Sequence, residues 1–390
     1  MNDDKQHFIK EELDQRRRDN RFRSLRVLDP HYGDGAFVKT GEGTWVNFSS
    51  NDYLGLSGDP RVMERAKSHI DQYGAGSTAS RLICGTYDIH RKLEEQLSDT
   101  FEREAALLFN TGFQANSSIL ATLTDRNSLI LTDKRSHNSL LQGALLSRAR
   151  FRRFDHNDLD DLERHLQKAE DEDYNRIFIV TESVFSMDGD RPDLEKLVDL
   201  SNRYRTFLFV DEAHAVGIWG EQGKGLSFGL DGIDMVLGTF GKAFGSFGSF
   251  LLCSKEVRDY LINFCPGFIY TTALPPAVIG ANRASLELLP ELDKERKKLV
   301  QNAEFLKEQL AESGFDTGNS TSQIVPIIIG SEADTLKLQD YLGKEGMLAT
   351  AIRPPTVEKG KSRIRVTLSS KHDRKHLNKL IHLLHEWKQR

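Results

Sequence analysis

The sequence predicts an α/β fold: a large domain built on a mostly parallel sheet, followed by a smaller C-terminal α+β domain. Three observations carry this prediction. From about residue 45, apolar runs of strand length alternate with longer amphipathic segments. The 390 residues suffice for two or three domains with a sizeable core. After about residue 285 the pattern changes, and a long charged segment leads into a shorter set of elements.

The elements follow in order. Over residues 8–28, Phe8, Ile9, Leu13, Phe22, Leu25 and Val27 interleave with arginines and predict a charged helix. Strands are expected at 105–109, 129–131, 177–181, 207–210, 235–239 and 249–253. Helical periodicity lies between several of them, at 62–73, 159–169 and 194–204, the last with Leu194, Leu197, Val198 and Leu200. Such alternation builds βαβ units and a parallel sheet covered on both faces. Beyond it a charged helix is expected over 284–312, strands at 324–329 and 363–368, and a terminal helix over 374–387. The organisation read from this is an N-terminal helical segment (1–45), a large α/β domain (46–285) and a small α+β domain (286–390).

Composition excludes several classes of function. With 53 Lys+Arg against 58 Asp+Glu, the net charge of −5 leaves no basic excess for nucleic acid. Apolar stretches such as 327–329 are far below the roughly 20 residues that span a bilayer. The opening residues have no apolar h-region, and Glu11, Glu12, Asp14 and Asp19 argue against a mitochondrial transit peptide, so a cytoplasmic protein is expected. Cys84, Cys253 and Cys265 are too few and too irregular for a disulfide framework or a zinc site and are expected as buried free thiols. No H-E-x-x-H occurs, no metal is expected, and His90, His156 and His165 read as surface or hydrogen-bonding side chains. Residues 74–79 (GAGSTA) match a dinucleotide-binding pattern, but a helical segment precedes them where a strand is required. Residues 360–362 (GKS) resemble the tail of a P-loop, but Pro355 stands where its first glycine belongs.

Three strand-end segments fit one chemical task. In 209–214 (FVDEAH), Asp211 ends a buried strand and His214 follows three residues on. In 238–248 (GTFGKAFGSFG), Lys242 follows another strand among small residues. In 109–116 (FNTGFQAN), a strand gives way to a helix start near Gly112, where unpaired N–H groups bind phosphate. Taken singly, these also fit a capped helix start, a solvated loop lysine and a plain helix-start turn. Together they supply a phosphate cradle, an acid for a ring nitrogen, a donor for a ring oxygen and an amine for an aldehyde. Those are the requirements of pyridoxal 5'-phosphate.

With that set in place, the sequence resembles the α-oxoamine synthases, a branch of the fold-type I pyridoxal-phosphate transferases. The lysine motif at 239–245 (TFGKAFG) carries the likeness, with 47–56 (NFSSNDYLGL), 73–81 (YGAGSTASR), 136–137 (SH), 181–190 (TESVFSMDGD), 211–217 and 270–276. Within the branch, 350–357 (TAIRPPTV) is similar to the members that make 8-amino-7-oxononanoate for biotin. The resemblance implies condensation of L-alanine with a pimeloyl thioester, carried on coenzyme A or acyl carrier protein, with release of carbon dioxide and the thiol. It implies Lys242 as the Schiff-base lysine, Asp211 at the ring nitrogen, and His214 and Ser186 at the ring oxygen. His137 would stack on the ring and assist proton transfer. Gly112, Phe113 and Thr239 would surround the phosphate. Arg353 would grip the amino-acid carboxylate with Asn51 in the same pocket, and Arg23 and Thr356 would touch the acyl substrate. A homodimer is implied too, with 270–274 reaching a neighbour. The alternatives within the branch are glycine C-acetyltransferase, 5-aminolevulinate synthase and serine palmitoyltransferase. Outside it, an aminotransferase would return a keto acid without releasing thiol.

Overall fold

The computed structural model describes residues 5–30 and 35–390, so most of the opening residues read for a targeting signal lie outside it. The chain divides into two compact units. One gathers the described residues of Met1–Ser50 with Met187–Gly189 and Lys298–Arg390; the other comprises Asn51–Ser186 and Asp190–Lys297. The N-terminal segment, expected as a part of its own, is grouped with the C-terminal residues, and the division falls after Lys297 instead of near residue 285.

The larger unit is built on seven strands: β1 (Ala105–Phe109), β2 (Ser128–Asp133), β3 (Arg150–Phe154), β4 (Arg176–Glu182), β5 (Phe207–Asp211), β6 (Met235–Thr239) and β7 (Ser249–Cys253). Their order across the sheet is β1-β7-β6-β5-β4-β2-β3. The pairings from β6 to β3 are parallel, and β7 runs antiparallel to both neighbours. Successive side chains point to opposite faces of a strand. Accordingly Leu129 and Leu131 enter one apolar cluster and Ile130 the other, and Leu208 and Val210 oppose Phe209 in the same way. Each fully buried leucine of this kind contributes about 1.5–3 kcal/mol.

Helices cover these faces where caps and apolar spacing agree. Pro60–Tyr73 starts on the Asp59 side chain with proline in its first turn and stops at Gly74. Leu194–Arg203 is capped by Asp193 and buries Leu194, Leu197 and Leu200. Strand β3 was not expected. Its sequence RFRRF fully buries only Phe154, because it is the sheet's edge, where arginines discourage further pairing.

In the smaller unit, strand Ile324–Gly330 pairs antiparallel with Ser362–Thr367, which pairs with Thr350–Ile352. The terminal helix runs over Arg374–Lys388. Two expected helices are shorter than their patterns. The N-terminal one is His7–Arg18 only, none of whose residues is buried, and Asn20 then takes a left-handed φ of 56°. Without a buried face nothing extends a helix past such a stop. The helix expected over 284–312 is two, Pro276–Leu288 and Asp293–Glu312, parted by the short turn Leu289–Glu291 that contains Pro290.

The cysteines also differ from expectation: Cys253 and Cys265 are buried and free, whereas Cys84 is exposed. Burial pushes the Cys253 thiol up to about 12, which leaves it unreactive. Among the described residues, no helix is long and apolar enough to cross a membrane, and no cluster of His, Cys, Asp and Glu is arranged to hold a metal ion.

Candidate active site

The carboxyl ends of β4, β5 and β6 deliver the central groups. Glu182 and Asp211 are the last residues of β4 and β5 and lie opposite each other in the parallel register. Asp211, only 6% exposed, accepts hydrogen bonds from Asn116 Nδ2 at 2.7 Å and Ala213 N–H at 2.9 Å. From Asn116 a chain of contacts continues through Ser139 Oγ (2.9 Å) to His137 Nδ1 (2.7 Å). His137 caps the helix Asn138–Leu146, its Nδ1 accepting from Ser139 N–H, so the ring is neutral at that nitrogen. The residue is exposed to solvent. Burial lowers its pKa, Asp211 opposes that shift, and Lys242 adds to it.

Glu182 is the buried acid of this neighbourhood. Desolvation, reinforced by the charge of Asp211, raises its carboxyl well above the usual range, while its Oε1 accepts the His137 N–H at 2.7 Å. Glu212, which follows Asp211 just beyond β5, is also buried and is pushed up to about 7 by desolvation. Glu212 Oε1 accepts from Leu226 and Ser227 N–H groups at 2.9 and 3.0 Å, which ties down the loop after the Asp211 strand.

Lys242 lies three residues beyond β6. Its Nζ is 2.8 Å from His214 Nε2, and His214 Nδ1 is 2.5 Å from the Tyr53 hydroxyl. With the amine donating to Nε2, Nδ1 carries the hydrogen and donates to Tyr53, whose own hydrogen is directed to Asn51 Oδ1 at 3.3 Å. The lysine turn is held by Thr239, whose hydroxyl donates to Gly248 C=O at 3.0 Å and accepts from Gly241 N–H at 3.2 Å. The Thr239 hydroxyl hydrogen is thus committed to backbone. Gly245 has φ 63°, and a Cβ there would meet Ser57 N at 2.2 Å, so this turn requires glycine.

The helix Gly112–Leu123 begins beyond β1 with Thr111 as its cap. Its first intrahelical donor is Ala115 N–H, to Thr111 C=O at 2.9 Å, so the Gly112 and Phe113 amides precede the ladder. Ser186 is buried in the loop after β4. The set fits pyridoxal 5'-phosphate: first-turn amides for its phosphate, an acceptor-only carboxylate for a ring N–H, and an amine for its aldehyde. Next to that carboxylate, Asn116 Oδ1 is buried without a protein partner, a further acceptor facing the same neighbourhood.

The structure thus brings Asp211, His214, Lys242 and His137 into one electrostatic neighbourhood. Tyr53, Asn116 and Glu182 belong to it but were not singled out from sequence. Tyr53 stood inside the quoted 47–56 motif, and an acid ending an apolar strand marks Glu182.

The smaller unit holds the remaining residues. Arg23 Nη2 donates to Thr356 Oγ1 at 2.9 Å, and Arg353 donates to the Asn20 carbonyl. They border a cavity of about 510 Å³ where apolar Phe22, Leu348 and Ile352 meet the guanidiniums of Arg23, Arg26 and Arg353. Burial, then the nearby charge of Arg23, lowers the pKa of Arg353, and Glu332 opposes both. Two guanidiniums that repel each other across a cavity favour an anion between them.

Comparison with known proteins bears on this arrangement. The aminotransferase class I and II family matches residues 43–384. An 8-amino-7-oxononanoate synthase of Gluconacetobacter diazotrophicus is 45% identical over 93% of this chain and 92% of its own. A Desulfosudis oleivorans protein provisionally given the same name is 48% identical over 98% of each. Among solved structures, a Sphingomonas wittichii serine palmitoyltransferase superposes with a TM-score of 0.92 at 27% identity, covering 99% of this chain and 98% of that one. A lysine-to-alanine variant of the S. paucimobilis serine palmitoyltransferase, solved with a bound pyridoxal phosphate–myriocin aldimine, gives 0.91 at 26%, with the same coverage. The fold, the lysine and acid at the strand ends, and these likenesses converge. The chain belongs to the class I and II aminotransferase family and, within it, to the α-oxoamine synthases, enzymes of fold type I whose cofactor is pyridoxal 5'-phosphate.

Proposed function

We propose that this enzyme condenses L-alanine with a pimeloyl thioester, releasing carbon dioxide and the thiol carrier, and so makes 8-amino-7-oxononanoate. The observation that carries the reading is the Lys242 amine, 2.8 Å from His214, in the same neighbourhood as the buried Asp211. Relatives bearing that enzyme name at 45–48% identity over nearly the whole chain support the substrates.

Bound here, pyridoxal phosphate supplies an aldehyde for amines and a ring that withdraws electrons from the alanine Cα. Asp211 holds the proton on the ring nitrogen. Lys242, once free, takes the Cα proton and later returns one to the same carbon. Ser186 would donate to the ring oxygen, as would His214 once its hydrogen sits on Nε2 and the Tyr53 hydroxyl donates to Nδ1, and His137 would lie against the ring. The Gly112 and Phe113 amides bind phosphate, with Thr239 beside them. Arg353 holds the alanine carboxylate, while Arg23 and Thr356 contact the acyl substrate. Fixing both reactants contributes up to roughly 7–11 kcal/mol of barrier reduction in favourable cases.

The reading extends to a cytoplasmic homodimer. Exposed Tyr270, Ile83 and Phe113, at 83%, 79% and 50%, support a covered face on the larger unit, and sedimentation of the active enzyme measures it. The second reading, serine palmitoyltransferase, is favoured by the structural likeness at 26–27% identity. One experiment separates them. Holoenzyme is mixed with alanine, glycine or serine and with pimeloyl, acetyl or palmitoyl thioesters of coenzyme A and acyl carrier protein; free thiol and product are then measured. Alanine with a pimeloyl thioester is expected to give the highest kcat/KM. Preference for serine with palmitoyl, or keto acid without thiol, rejects the proposal.

A further inference from the structure

His156 stands two residues beyond β3, between two buried carboxylates. Its Nδ1 is 2.8 Å from Asp133 Oδ1 and its Nε2 2.7 Å from Asp190 Oδ2. The three side chains are 15%, 1% and 8% exposed, respectively. Carboxylate oxygens accept and do not donate, so both ring nitrogens carry hydrogen and the ring is an imidazolium. Burial opposes the charge, but the two hydrogen-bonded aspartates prevail and raise its pKa to about 9.

These partners sit at informative places. Asp133 ends β2, four residues before His137, and its Oδ1 accepts Arg135 N–H at 2.7 Å in the intervening turn. Asp190 follows Ser186 by four residues, and its carbonyl accepts Phe185 N–H at 3.0 Å, closing the loop around Ser186. The Phe185 ring meets the imidazole edge-on at 4.5 Å. Asn157 adds N–H to Asp133 Oδ2 at 2.8 Å and Nδ2 to Asp190 Oδ2 at 3.2 Å. Asp133 and Asp190 are the charged groups facing the ring, while Lys134 is turned to Asp155 in an exposed pair.

We propose that His156 is a positioning residue that cross-braces the turn delivering His137 to the loop delivering Ser186, and so sets the spacing of two cofactor contacts. The inference rests on the reading that puts both residues at the cofactor. The brace is fully present below about pH 6.5 and is lost as pH rises through about 9, the sign expected for a histidine whose folded pKa is raised.

The test measures the rate at which pyridoxal phosphate leaves the holoenzyme, together with its Tm. His156→Gln keeps one N–H and loses the charge. It is expected to speed release about tenfold or more, by analogy with the loss of an outer hydrogen-bond partner at metal sites. Adding Asp190→Asn, which removes the uncompensated carboxylate, is expected to recover most of that loss. Release at the wild-type rate in His156→Gln, whatever its Tm, overturns the brace. Ser186→Ala and His137→Ala serve as references. If both hold the cofactor like wild type, the site reading fails; if they lose it and His156→Gln does not, only the brace fails. Should His156→Gln not fold, Asp190→Asn alone decides: faster release supports the brace and unchanged release rejects it.

Discussion

The cofactor end of the large sheet and the arginine-lined cavity of the small unit are built in opposite ways. Asp211 and His214 are 6% and 5% exposed, and each is pinned by hydrogen bonds from neighbouring elements. Arg23 and Thr356 are exposed, and Arg353 is half-buried on a turn. Proton transfer demands groups fixed to a fraction of an ångström, which strand ends within a packed sheet provide. Gripping an anion demands charge and a fork of donors, which loops supply adequately.

The largest expected effect belongs to the rigid region. Lys242→Ala should lower turnover by at least ~10³-fold and abolish the visible absorbance of lysine-bound cofactor, with Tm little changed. Turnover within tenfold of wild type would remove the lysine from the chemistry. At the looser region, Arg353→Ala should raise the KM for alanine roughly 10–100-fold, the loss of one charge-assisted pair, while the cofactor spectrum stays as in wild type. A changed spectrum with unchanged KM would put Arg353 in the rigid class instead.

The smallest effect concerns stability alone. In the small unit His372 Nδ1 accepts Ser369 N–H at 3.0 Å, and Nε2 is 3.0 Å from the Asn47 carbonyl, which fixes a neutral ring. Burial, then His376 nearby, lowers its pKa to about 3. Its contribution is therefore complete above about pH 6.5 and lost as pH falls towards 3, the reverse of His156. Stability measured by urea unfolding with tryptophan fluorescence should fall over that range by up to a few kcal/mol in wild type, and by less in His372→Asn. An equal slope in both would discount the buried ring.

Much of this was legible in the sequence because strand alternation and strand-end chemistry are local signals. Each of the six expected strands, and the placing of Asp211 and Lys242 at or just beyond a strand end, is marked by residues within a few positions of itself. What escaped depends on contacts between distant segments. Asn116 meets Asp211 across 95 positions, and Tyr53 meets His214 across 161, so neither partner is marked by its own neighbours. His156 read as an ordinary histidine because its two aspartates lie 23 and 34 residues away. The helices over 8–28 and 284–312 failed for local reasons: Asn20 in a left-handed turn, and Pro290.

The antiparallel strand β7 imposes a timetable on the chain. Among the described residues, the wholly apolar β1 pairs only with β7, in a register that joins Phe109 to Ser249 and Ala105 to Cys253, about 140 residues later. At roughly 5–20 residues per second, a nascent chain leaves that strand without its partner for on the order of ten seconds. During that interval Ala105–Phe109 is unpaired along both of its edges, and loop closure of this length makes its pairing one of the slow steps of folding. Chains interrupted before residue 249 carry the edge permanently, so truncated products of this protein are expected to aggregate.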